Sequence, residues 1–148
     1  MPEAVYSRGV LDLAGNIPRI GRLADPDATA TAVSRLCGAT VTVDLSVDDD
    51  VVTDFAHEVQ ASALGQAAAS VLARNIVGAT AEELRALRET MRRMLRENGP
   101  PPAGRFAGLA ILETVRDYAP LQPATLLPFD AVVDALDRIA AKATPSAA

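Results

Sequence analysis

With 148 residues, 49% of them apolar and 22% charged, the chain is long enough for one compact domain with a buried core. A net charge of −5 without a Lys/Arg cluster, no Trp, two Tyr and three Phe leave neither a phosphate track nor a stacking platform, which excludes nucleic acid. A single cysteine excludes an internal disulfide framework and fits a reducing cytoplasm, and neither a signal-peptide pattern nor a bilayer-length apolar run is present.

The first predicted element is a helix over residues 5–13, with Val5, Tyr6, Val10 and Leu13 near one face; Gly15-Asn16 ends it and Pro18 prevents its continuation. NIPRIGRLADPD then reads as a loop from its Pro, Gly and Asp content. Residues 28–36, rich in Thr and Val, predict a first strand, which Cys37-Gly38 interrupts. TVTVDLSV over 40–47 alternates cleanly, so Val41, Val43, Leu45 and Val47 should face in, and Thr40, Thr42, Asp44 and Ser46 out. After the turn at Asp48-Asp49-Asp50, residues 51–60 predict a third strand with Val51, Phe55, His57 and Val59 on one face. Short turns between the three favour an antiparallel meander.

From Ser62 the period becomes helical and runs to about Val77, where Gly78 stops it. The start of this helix is unusually small: Ala61, Ser62, Ala63, Gly65 and Ala67 to Ala69 leave space for something to approach its backbone. Thr80 and Glu83 form a predicted capping box for the next helix, whose stripe is Leu84, Leu87, Met91 and Leu95. Asn98-Gly99 and three prolines break the chain; residues 106–118 and 126–142 predict two more helices. The expected fold is α+β, a three-stranded antiparallel sheet with helices packed on one face. The expected organisation is a single domain over residues 1–142 and a disordered tail over 143–148.

Few side chains offer chemistry. Cys37 is the only soft ligand, placed at a loop tip near the end of the sheet, although free cysteines are most often small buried hydrophobes. His57, on an apolar strand face, reads as a hydrogen-bonded core residue before a ligand. Asp48 to Asp50 lack the carbonyl and bidentate partners of a calcium loop and read as a solvated turn. Arginines 85, 88, 92, 93 and 96 read as a solvated helix face, with docking of an acidic partner as the alternative. There is no Gly-rich phosphate loop, nucleophile elbow or Ser/His/Asp constellation, so no catalytic residue is assigned and the protein is not expected to be an enzyme.

Taken jointly, these elements resemble the IscU/NifU N-terminal family of iron–sulfur cluster assembly scaffolds. NIPRIGRL is similar to its Asn-x-Pro-Arg loop after the first helix, and Cys37-Gly38-Ala39 to its Cys-Gly-Asp. VTDFAHEVQAS aligns with the family strand that ends in Gly-Cys, which puts Ser62 at the second cysteine position. The small-residue helix, Gly78 and the Thr-x-x-Glu start also match, and PATLLPFDAVVDAL is similar to the Cys-Ala-Thr-Leu segment, with Ala124 at the third cysteine. The likeness spans residues 5 to 140.

The resemblance implies a site for an iron–sulfur cluster, iron or zinc between the helix start and two loops, with Cys37 as metal ligand and Ser62 beside it. It also implies partners such as a cysteine desulfurase and other assembly proteins. Of the family's ligands only Cys37 remains; Ala39, Ser62 and Ala124 replace the others, and Pro123 stands before the third position. A [2Fe–2S] cluster normally takes four donors. The chain would therefore share a cluster across two copies as a homo-oligomer, share it with an external thiol, or carry sulfur on Cys37 as a persulfide. The alternatives are a degenerate interaction module that binds assembly partners without a cluster, and an unrelated binder of a small ligand. Ser62 has a bland reading as a helix N-cap.

Overall fold

The computed structural model describes residues 5–143. The fold is α+β. Three antiparallel strands, β1 (Ala28–Ser34), β2 (Ala39–Asp48) and β3 (Val51–Gln60), form a sheet in the order β1-β2-β3. The helices are α1 (Arg8–Gly15), α2 (Ala63–Asn75), α3 (Ala81–Arg96) and α4 (Gln122–Ala143). Successive 3₁₀ turns over Gly104–Asp117, kinked at Phe106, replace the predicted helix at 106–118. α4 reaches the last described residue, and the rest of the expected tail lies outside the described residues. None of the described helices is long and apolar enough to cross a membrane.

The strand alternation makes the core. Val41, Val43 and Leu45 pair with Val59, His57 and Phe55, so one face of the sheet presents an apolar layer to the helices. α4 crosses β1 and β2, while α2 sits among α1, α4 and β3. α2 is buried on nearly all sides, from Leu64 through Ala73, which explains its lack of a polar face. α3 begins at the predicted capping box: the Thr80 hydroxyl accepts the Glu83 amide at 3.0 Å and the Glu83 carboxylate accepts the Thr80 amide at 3.4 Å. Its arginine face is largely ion-paired: Arg85 to Asp137 and Arg88 to Asp130 tie α3 to α4, and Arg92 holds Glu89 and Glu97.

α4 starts at Gln122, four residues before the predicted start, because Pro123 falls in the first turn, where an N–H has no helical partner. Pro128 lies inside the helix and cannot donate to the carbonyl of Ala124. That carbonyl points at α2: a Cβ added to Gly65 would lie 2.9 Å from it and 2.8 Å from the Ala61 Cβ. The small residues at the start of α2 therefore admit the first turn of α4.

The other face of the sheet departs from the simple alternation. Asp44 is on that face, as predicted, but fully buried. Arg22 donates to its carboxylate at 2.7 and 3.1 Å, the Leu23 amide at 2.9 Å and the Thr29 hydroxyl at 2.6 Å. The NIPRIGRL loop is thus strapped across the sheet. It also closes the β3 edge: the His57 amide donates to the Arg19 carbonyl at 3.1 Å, and the Gly21 amide to the His57 carbonyl at 2.9 Å.

Candidate functional site

Three segments converge at the end of the sheet where β3 runs into α2. The β1–β2 hairpin turn carries Cys37; Thr40 pairs with Gln60 as the last rung of β2 and β3; the next residues are Ala61 and Ser62. The first turn of α4, with Ala124, packs on Gly65. The fold therefore brings the elements that carry Cys37, Ala39, Ser62 and Ala124 to one end of the molecule.

Cys37 is exposed, not the small buried hydrophobe that free cysteines usually are. Gly38 after it has φ +71°, a left-handed conformation that turns the chain back into β2 and favours glycine. The Ser34 hydroxyl, and after it the Ala39 amide, hydrogen-bond the sulfur and hold the thiol below the ordinary cysteine range. Both neighbours favour the thiolate over the thiol, and the sulfur-bearing residue is open to solvent.

Ser62 occupies the N-cap position of α2 with extended backbone, but its side chain makes no capping bond. Its carbonyl accepts the Gln66 amide at 2.9 Å, and the Gln66 side chain donates to the Ala61 carbonyl at 2.8 Å. The Ser62 side chain is exposed, so the capping role expected of it is not used. Ala39 and Ala124 are 3% and 4% exposed and belong to the core. Where the resemblance would put a carboxylate and a thiolate, this chain packs methyl groups.

His57 stays out of the site. It is fully buried on the helix-covered face, as predicted, with its ring 4.9 Å from that of Phe55. Its Nε2 is 2.9 Å from the Pro18 carbonyl, which fixes Nε2 as the protonated nitrogen, while Nδ1 is buried without a partner. Burial pushes its pKa down against the opposing pull of the Pro18 bond, so the imidazole is neutral.

Among the described residues no group of three or more His, Cys, Asp or Glu side chains is placed to hold a metal ion. One thiolate and one serine hydroxyl are too few and too hard a set for an iron–sulfur cluster on a single chain. Sequence reasoning identified Cys37 and the segments around it; it missed Ser34, whose only signal was its position three residues before Cys37 across a four-residue turn.

The NifU-like N-terminal domain model matches residues 5–121. The chain is 28% identical over 138 residues to the iron-sulfur cluster assembly scaffold protein IscU of Thermotoga maritima, covering 93% of this chain and 96% of that one. It is 59% identical to a nitrogen-fixing NifU-like protein (N-terminal) from Brucella abortus, whose crystal structure superposes with a TM-score of 0.94 over 95% of this chain and 98% of that one. A putative scaffold protein for the SUF system from Fervidobacterium islandicum, 20% identical, shares the fold with a TM-score of 0.84 over 92% of this chain and 99% of that one. The sheet, the strapped loop, the small-residue helix and these matches together show that the chain belongs to the NifU-like N-terminal domain family.

Proposed function

We propose that the protein serves iron–sulfur cluster assembly as a non-enzymatic sulfur-accepting member of the scaffold family, with Cys37 as its one reactive group. The observation that carries this reading is the exposed, hydrogen-bonded thiol of Cys37 in a site with no second soft donor. In the proposed step the Cys37 thiolate attacks the outer sulfur of a persulfide, R–S–SH. A Cys37 S–S bond forms as the donor S–S bond breaks, the donor leaves as a thiolate, and the sulfane sulfur keeps its oxidation level, so no external oxidant is consumed. A cysteine desulfurase carrying such a persulfide is the partner this chemistry fits. In this reading Ser62, two residues past the rung that pairs Thr40 with Gln60, offers an exposed hydroxyl for an added sulfur but does not replace a thiolate.

Incubation with a cysteine desulfurase and cysteine, followed by intact-mass analysis without reductant, should show one added sulfur atom on the parent. Cys37→Ala should show none. A parent of unchanged mass would refute sulfur acceptance.

The buried methyl groups of Ala39 and Ala124 favour a second reading, in which the protein keeps the family surface and docks assembly partners without carrying sulfur or cluster. Desulfurase co-purification that is equal in parent and Cys37→Ala, with no sulfur added to either, would select it.

A further inference from the structure

The two edges of the sheet are treated differently. The NIPRIGRL loop closes the β3 edge with two main-chain bonds, whereas among the described residues no segment pairs with the outer side of β1. An open edge is normally blunted with charge, proline or a bulge. β1 reads ATATAVS, with none of these, and its pairing with β2 runs unbroken from Ala28 to Ser34. Its solvent-side residues include Thr31, exposed, and Val33, 59% exposed. The charges stand just outside the strand and are of opposite sign: Asp27 before it and Arg35 after it, both exposed. Asp27 accepts the Val47 amide at 2.8 Å through one carboxylate oxygen, and Arg35 has no ion-pair partner among the described residues.

We propose that β1 pairs antiparallel with β1 of a second copy of this chain, about a two-fold axis through Thr31. This register opposes Thr29 to Val33 of the second copy, covering the exposed valine, and brings Asp27 and the second copy's Arg35, each one residue beyond a strand end, within reach of each other's side chains, twice over. A shift of the axis by one residue would lose both ion pairs. The result is a continuous six-stranded sheet. The hairpin turns that carry Cys37 begin beyond Ser34, three positions from the axis, so the two turns stand more than roughly 20 Å apart at 3.3 Å per residue. The dimer leaves each sulfur site separate and does not combine two thiols into a cluster site, so this inference stands apart from the Cys37 reading.

Sedimentation velocity over a wide concentration range should show the parent in a concentration-dependent monomer–dimer equilibrium. Thr31→Lys, which opposes two like charges on the axis, should be monomeric with unchanged circular dichroism. Arg35→Glu and Asp27→Lys should each weaken the dimer roughly tenfold or more, since each creates two like-charge pairs. Mixing these two variants should restore association, because each then meets its complement. A parent that is monomeric throughout, a Thr31→Lys protein that associates like the parent, or a mixture no stronger than its components would overturn the proposal.

Discussion

At the scale of residues, two titratable groups are set in opposite ways by their surroundings. Cys37 is exposed, and hydrogen bonds from Ser34 and Ala39 favour its thiolate. Its alkylation by iodoacetamide should therefore reach half its limiting rate below the pH typical of an unassisted cysteine. Ser34→Ala should move that midpoint upward, and an unmoved midpoint would remove Ser34 from the account. His57 is buried and neutral, with a folded-state pKa below its unfolded value of about 6.5. The unfolded chain then binds the proton first as pH falls, so stability is full above about pH 6.5 and declines from there towards the lower folded-state pKa. The decline, measured by urea denaturation, is a slope bounded by about 1.4 kcal/mol per pH unit for one proton. His57→Phe should flatten it in that window; an equal slope in both proteins would assign the acid sensitivity elsewhere.

At the scale of elements, the contact between α2 and α4 decides how the site is closed. Gly→Ala in a helix interior normally gains about 1 kcal/mol. At Gly65 the new methyl would meet Ala61 Cβ at 2.8 Å and the Ala124 carbonyl oxygen at 2.9 Å, and a backbone carbonyl cannot swing aside as a side chain can. Gly65→Ala should therefore cost about 1–3 kcal/mol in urea denaturation; a gain in stability would show that α4 can retreat. The small residues of this helix start were visible in the sequence, but their occupant was not. Alternation placed Val41, Val43 and Leu45 in the core and put β2 within one residue of both ends, because a period of two needs only local information. It put Asp44 on the correct face and missed its burial, since alternation does not reveal which distant segment covers that face. The start of α4 was missed for a related reason. Pro123 looks like a breaker, yet it falls in the first turn; Pro128, inside the predicted helix, leaves a carbonyl that meets Gly65.

At the scale of the whole molecule, the fold gathers the hairpin turn, the start of α2 and the first turn of α4 at one end, and only the hairpin brings a soft donor there. The core does not depend on that donor, since Cys37 is exposed; Cys37→Ala should leave the urea midpoint within about 0.5 kcal/mol of the parent. Ala39 and Ala124, in contrast, are buried, so building ligands there would disturb packing, and the poverty of the site is part of the structure. The claim that one chain takes a sulfur atom and does not hold a cluster is tested most directly by iron and acid-labile sulfide analysis after anaerobic reconstitution and desalting. The account predicts iron and sulfide far below one cluster per chain, equal in the parent and in Cys37→Ala. A stoichiometric cluster on the parent, with a charge-transfer spectrum that Cys37→Ala abolishes, would contradict it.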